Sequence, residues 1–310
     1  GIDFSEMFSG CYDFTQDLGS WNVSNGTNFD KMFHNTDLVL QTSWSSTPSS
    51  YNFLGQTVNG SSRSEVIIGD AGNDILSGLN GNDTIRGNDG WDKLYGGDGN
   101  DKLFGGGKDD LLNGGEGNDK LIGGSGRDTA VFGSANNKID LTKTGRQNTK
   151  EGRDILRSIE KIKGGDGNDI ITGNDSANAL NGGKGNDFLN GGKGNDQLIG
   201  GAGIDTAIFG SANNKIDLTK TGRQNTREGR DILSSIESVE GGNGNDIIRG
   251  DSANNYLYGD AGKDLLIGGA GNDLLNGGKN NDRLFGEAGD DVLIGGKGAD
   301  TFNGGEGNNK

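Results

Sequence analysis

The chain has 310 residues, of which 62 are glycine and only 29% are hydrophobic, and its formal net charge is −16. Such acidity argues against nucleic acid as a partner, one cysteine excludes an internal disulfide framework, and no apolar run approaches the roughly 18 residues of a membrane span. A chain this rich in glycine and acid lies close to the disordered class unless something neutralises its charge.

Residues 1–42 differ from the rest: glycine is sparse and aromatics are frequent. Phe4, Met7 and Phe8 recur 25 positions on as Phe29, Met32 and Phe33, with Phe14, Leu18, Trp21 and Val23 between them. The pattern resembles the leucine-rich-type repeats of BspA-like bacterial surface proteins, which implies a short solenoid-like repeat fragment. A stack of this kind needs about three repeats to be stable, and fewer than two are present. Either more repeats precede Gly1 or the segment packs on the glycine-rich region C-terminal to it, and the chain reads as a piece of a longer protein. Cys11, close behind Met7 and Phe8, is expected to pack as a small core residue. His34 is the only histidine, so no H-E-x-x-H pair exists, and no G-x-S-x-G elbow occurs. The chain is expected to have no catalytic residues. Residues 43–62, rich in Ser, Thr and Asn around the only proline, Pro48, read as a linker.

From Gly69 a nine-residue unit, G-x-x-G-x-D-x-U-x with U apolar, runs in register over 69–131, 164–208 and 241–303, nineteen copies in all, with a truncated copy after the last. Gly60 to Ile68 reads as a degenerate first copy, with Glu65 at its sixth position. Position 1 is always glycine. Position 6 is aspartate in seventeen copies, at Asp74, Asp83, Asp92, Asp101, Asp110, Asp119 and Asp128, then Asp169, Asp187, Asp196 and Asp205, then Asp246, Asp264, Asp273, Asp282, Asp291 and Asp300; Asn178 and Asn255 are the exceptions. Position 8 is apolar throughout, from Leu76 to Phe302. Nine residues are too few for a helical repeat unit, and positions 7 to 9 alternate like a very short strand. The first six residues must then turn the chain, which glycine permits. Two nonads make one coil, and stacked coils give parallel sheets over a single file of position-8 side chains, a β-solenoid.

One leucine per nine residues is too small a core to offset the ordering of those nine residues. Stacking also brings each position-6 carboxylate close to the one 18 residues on, where unscreened charges repel. A divalent cation between successive turns removes both difficulties. Carboxylates and glycine-freed main-chain carbonyls form an all-oxygen set, which suits Ca²⁺ better than octahedral, water-retaining Mg²⁺. Zinc, copper and haem require His or Cys.

Copies such as Gly96-Gly97-Asp98-Gly99-Asn100-Asp101-Lys102-Leu103-Phe104 and Gly268-Gly269-Ala270-Gly271-Asn272-Asp273-Leu274-Leu275-Asn276 resemble the calcium-binding nonapeptide of the RTX (repeats-in-toxin) family, a known β-helix repeat. The resemblance implies an all-β fold, a right-handed parallel β-roll, with about one Ca²⁺ per pair of stacked turns. The implied ligands are the position-6 aspartates together with loop carbonyls. At position 1 these belong to Gly69, Gly78, Gly87, Gly96, Gly114, Gly182, Gly191, Gly268 and Gly295, and at position 4 to Gly72, Gly81, Gly90, Gly99, Gly117, Gly185, Gly194, Gly271 and Gly298. Lys108, Ser176, Ala253 and Asn280 break the pattern at position 4, which puts calcium at those turns in question.

Between the blocks lie two 32-residue spacers, 132–163 and 209–240, and residues 132–149 are repeated without change at 209–226. Ile139 and Leu141 alternate like a strand, as do Ile155, Leu156, Ile159 and Ile162, so the spacers read as continued coils with irregular, calcium-free loops. The stretch from Gly152 to Glu160 resembles spacer segments in the C-terminal β-rolls of serralysin-type proteases. The domain plan is therefore 1–42, linker 43–62, blocks 63–131, 164–208 and 241–310, and the two spacers.

The expected function is a calcium-binding structural or adhesive module of a secreted bacterial surface or matrix protein, unfolded in a low-calcium cytosol and folded outside the cell. The RTX resemblance also implies type I export. The alternatives are the secretion and folding domain of an exported hydrolase or toxin, a polysaccharide-binding β-roll like those attached to alginate epimerases, and lateral self-association. Outward residues at position 9, among them Tyr95, Phe104, Ile122, Val131, Tyr258, Ile267, Phe285 and Ile294, would form the contact surface for the last of these.

Overall fold

A computed structural model describes residues 2–3, 26–28, 55 and 57–310. Most of the N-terminal repeat region, including Cys11 and His34, and most of the linker lie outside the described residues. Ile2–Asp3 and Gly26–Asn28 form a parallel pair, with Ile2 opposite Gly26. No helix occurs among the described residues, and none long and apolar enough to cross a membrane. The chain forms two compact units, 1–130 with 152–159 and 131–151 with 160–310.

The first unit is a β-solenoid with an 18-residue coil. One sheet stacks Thr57–Asn59, Ile75–Asn80, Lys93–Asp98, Leu111–Glu116 and Thr129–Val131, all parallel. The other stacks Val66–Ile68, Thr84–Asp89, Lys102–Gly107, Lys120–Ser125 and Arg153–Arg157. The register keeps position 8 on position 8, so Ile67, Ile85, Leu103 and Leu121 form one file and Leu76, Leu94, Leu112 and Ala130 the other, each at most 3% exposed. The degenerate copy at 60–68 keeps this register. Thr57–Asn59, which composition places in the linker, also pairs with the sheet, because Val58 falls opposite Leu76.

Many strands, though not Ile170–Thr172 or Phe188–Asn190, are longer than the periodicity predicts. Lys102–Gly107 spans positions 7 to 9 and then 1 to 3 of the next nonad, so the turn is confined to positions 4 to 6. Registered pairing passes from Ile122↔Phe104 to Gly124↔Gly106, with the position-1 glycine at the bend between them. Apolar alternation ends at position 9, and glycine at positions 1 and 2 gives no alternating signal to reveal the extension.

The second unit repeats this plan in three sheets. One runs from Lys138–Asp140 through Ile170–Thr172, Phe188–Asn190, Thr206–Ile208, Ser238–Glu240, Tyr256–Tyr258 and Leu274–Lys279 to Val292–Lys297. Lys161–Asp166, Ala179–Lys184, Gln197–Ala202 and Arg230–Ser234 form the second. Lys215–Asp217, Ile247–Arg249, Leu265–Ala270, Arg283–Ala288 and Thr301–Asn303 form the third. Its position-8 file is as dry as the first, except in the last strand of two sheets, where Leu293 is half-buried and Phe302 is 53% exposed.

The second spacer joins these sheets out of chain order. Arg230–Ser234 pairs with Gln197–Ala202, placing Leu233 on Leu198, whereas the earlier strand Lys215–Asp217 pairs with Ile247–Arg249, placing Ile216 on Ile248. The steps are 35 and 32 residues instead of 18. Gln224–Asn225, in the loop between the two strands, pairs antiparallel with the start of Arg230–Ser234, Gln224 opposite Asp231.

Replacing Leu189 (0% exposed) by Asp drives an unpaired charge into the single-file core. Block 164–208 is then expected to lose its far-UV circular dichroism signal at every calcium concentration. Leu103→Ala should be milder, costing about 2–5 kcal/mol in denaturant unfolding.

Candidate metal centres

Position 6 closes the turn, and the extended strand after it sets its aspartate inward. Each of these side chains from Asp74 to Asp291 is at most 2% exposed. One carboxylate oxygen is committed to the stack. Asp101 Oδ1 accepts the Asp83 N–H at 2.7 Å and Asp119 Oδ1 accepts the Asp101 N–H at 2.8 Å. Asp187 and Asp205 do the same for Asp169 and Asp187, as Asp264 and Asp282 do for Asp246 and Asp264.

In most copies the other oxygen has no donor. Buried Oδ2 atoms without a hydrogen-bond donor occur at Asp83, Asp92, Asp101, Asp110, Asp169, Asp187, Asp196, Asp205, Asp246, Asp264, Asp273, Asp282 and Asp291. A buried acceptor left unpaired is costly, and here the cost is repeated turn after turn. The surroundings are also oxygen. A Cβ built on Gly78 would collide with Asp83 Oδ2 and lie 2.7 Å from the carbonyl oxygen of Gly96 on the next coil. The bare glycine thus leaves a cradle where a carboxylate oxygen and a carbonyl from the next coil converge. Position 4 adds another, since Gly99 (φ +144°) lies against the carbonyl of Gly81 so closely that a side chain would strike it. Lys108 and Asn280 hold position 4 with φ 76° and so keep a left-handed turn, whereas Ser176 and Ala253 do not.

Not every predicted ligand is placed alike. Asp74 Oδ2 accepts the Asp70 N–H at 2.9 Å, and the Gly69 carbonyl accepts Asn88 Nδ2 at 2.8 Å. Asp300 is half-buried. Among the described residues no three His, Cys, Asp or Glu side chains converge, so any cation here draws on carboxylates singly or in pairs and on main-chain oxygen. Sequence reasoning missed Asp154 and Asp231, which continue the columns by accepting the Asp119 and Asp196 N–H groups at 2.7 and 2.8 Å. The signal was present: Gly152-Arg153-Asp154-Ile155-Leu156 is the second half of a nonad without its first three residues.

Burial pushes the carboxyls up, with smaller contributions from neighbouring acids. Asp110, Asp187, Asp196 and Asp264 rise to about 7, and Asp83, Asp92, Asp246 and Asp273 to about 6. These are values for the ion-free chain, in which a proton is the only available neutraliser. A hard divalent cation fits the donor set better: the orphaned Oδ2 atoms with position-1 and position-4 carbonyls would hold it, and it would supply the charge the column lacks.

A family profile described as RTX calcium-binding nonapeptide repeat (4 copies) matches residues 59–94, 68–103, 95–130, 104–139, 158–189, 172–207, 240–275 and 276–310, more than half of the chain. The chain belongs to this calcium-binding RTX family. Residues 2–53 match a second profile, described as Mycoplasma protein of unknown function, DUF285. This is the stretch whose composition sets it apart. No curated protein matches the chain.

The RTX geometry can be tested at its ligands and through its protons. Asp101→Ala with Asp119→Ala, on stacked turns, should raise the calcium midpoint for folding of block 63–131; an unchanged midpoint would remove these two as ligands. A carboxyl whose folded-state pKa is raised stabilises the fold fully below its unfolded value near 3.8 and loses that contribution as pH rises through about 6 to 7. In chelator the β signal should therefore appear on acidification from about pH 8 to pH 5, and the calcium midpoint should rise over the same interval because protons compete for the same oxygens. Circular dichroism that does not change with pH in chelator would contradict it.

Proposed function

We propose that this chain is the calcium-folded structural or adhesive module of a bacterial protein that acts outside the cell, and not an enzyme. The observation that carries the reading is the column of buried aspartates whose Oδ2 atoms lack any donor, because it makes the fold conditional on a cation. In a low-calcium cytosol the acidic, glycine-rich chain stays unfolded and passes a type I exporter. At millimolar external calcium, in the range of extracellular sites, binding free energy becomes folding free energy. The BspA-like pattern of residues 1–42 supports attachment to a surface-type protein.

A second reading, binding of an extracellular polysaccharide, draws on one outer face of the first unit. There the Arg86 guanidinium stands 4.3 Å over the Phe104 ring and Lys120 Nζ lies 5.8 Å from it, and Lys102 lies beside Lys120 on the adjacent strand. Ion-free glycan arrays would register nothing on this reading, and calcium-loaded ones would.

A calcium titration followed by far-UV circular dichroism and light scattering, with magnesium and EGTA controls, tests the main reading. Cooperative, reversible gain of β signal near millimolar Ca²⁺ and not with Mg²⁺ is expected, and scattering that rises with it would favour assembly into a matrix. Full folding in EGTA would exclude calcium as the organising ligand.

A further inference from the structure

The tripeptide Ser-Ala-Asn occurs at 134–136, 176–178, 211–213 and 252–254. In each of these turns of the second unit the position-6 residue is asparagine: Asn137, Asn178, Asn214 and Asn255, all 1% exposed. None of Ala135, Ser176, Ala212 and Ala253, which stand at position 4, takes the positive φ found at position 4 in neighbouring aspartate turns such as Gly185 and Gly262. The turns are thus built differently, and their side chains are satisfied differently.

Asn137 Nδ2 donates to the carbonyl of Ala135, at position 4 of its own turn, at 2.9 Å, and to the carbonyl of Gly164, at position 1 of the coil it stacks on, at 3.2 Å. Asn214 repeats the arrangement with Ala212 at 2.9 Å and Gly241 at 3.0 Å. A primary amide has two N–H donors, and both are used. The opposite amide orientation would set Oδ1 against two carbonyl oxygens, so the network fixes which end is the donor. The position-1 carbonyl of the neighbouring coil is the same class of oxygen that faces the orphaned Oδ2 atoms in the aspartate turns, as the Gly96 carbonyl does near Asp83. The Oδ1 atoms of Asn137 and Asn214 are buried without a donor, whereas those of Asn178 and Asn255 accept the N–H groups of Asn174 and Asp251 at 2.7 and 2.8 Å. Where the second spacer returns an aspartate to a column, at Asp231, its other carboxylate oxygen accepts the hydroxyl of Thr226, which is wholly buried.

We propose that the Asn137 and Asn214 amides stand in for a cation, bridging successive coils with fixed N–H donors where the aspartate turns need an ion. The coils at the spacer ends then close without calcium, and the ion requirement is interrupted at each spacer instead of running through the whole stack. The inference rests on the reading that the aspartate turns are the calcium sites.

The test is a rescue experiment on the full chain, with hydrogen exchange at the Ile216 and Ile248 amides followed across a calcium titration in wild type, Asn214→Asp and Asn214→Ala. Asparagine to aspartate keeps the shape and replaces the donor by a charged acceptor, so protection should fall about tenfold or more at limiting calcium and return at saturating calcium. Asn214→Ala has neither donor nor ligand, and its protection should stay low at every calcium concentration. If both variants follow wild type, or both stay unprotected at saturating calcium, the amide is not an ion substitute and the proposal is overturned. The wild-type amides of Asp264 and Leu266 serve as the internal reference. If they are equally protected in EGTA and in calcium, the calcium reading itself has failed, which is distinct from failure of the asparagine assignment.

Discussion

Buried like charge is the constraint on which the rest of this structure depends. Every 18 residues the fold returns an aspartate to the same place, buries it, and uses one of its oxygens to hold the backbone of the coil before it. The register that stacks leucine on leucine is the register that stacks carboxylate on carboxylate, so the core and the charge cannot be separated. A single file of leucines does not compensate a column of buried carboxylates in which oxygens such as Asp83 Oδ2 and Asp101 Oδ2 have no donor. Whatever neutralises that column decides whether the solenoid exists, which is why position 1 remains glycine in all nineteen copies. Any side chain there would fill the space between Oδ2 and the facing carbonyl.

Three neutralisers compete for these oxygens, and they differ in reach. A proton serves one carboxyl and answers to pH alone. A calcium ion, with about six to eight oxygen ligands, would draw them from two coils and so tie neighbouring repeats together. A protein donor, such as the Thr226 hydroxyl on Asp231, is always present but serves one place. Placing the first two under external control and the third at the spacers gives a chain whose folding answers to its surroundings without answering everywhere at once.

Much of this was legible in the sequence, and the limits have physical causes. Position 8 and position 6 are set by burial and charge, which act on residue identity, so Leu103 and Asp101 could be read directly. Where strands extend through positions 1 to 3, the extension rests on main-chain pairing between glycines, as in Gly97↔Gly115, and leaves no side-chain pattern. The reversed order of Lys215–Asp217 and Arg230–Ser234 comes from pairing steps of 32 and 35 residues, which no period of nine announces. Asparagine at position 6 looks like one more oxygen donor in the sequence. At Asn214 only the neighbouring carbonyls of Ala212 and Gly241 show that the nitrogen is engaged as a donor.

In a solenoid each coil touches only its neighbours, so stability is a sum of local terms and coupling passes from one interface to the next. If every interface required an ion, loss of one ion would open a seam between two otherwise intact stacks, with leucines of the single file exposed on both sides. The places where the repeat departs from its consensus, 132–163 and 209–240, coincide with a change in how charge and carbonyl are satisfied. On the proposed asparagine assignment, the irregular segments interrupt the metal requirement and not the fold.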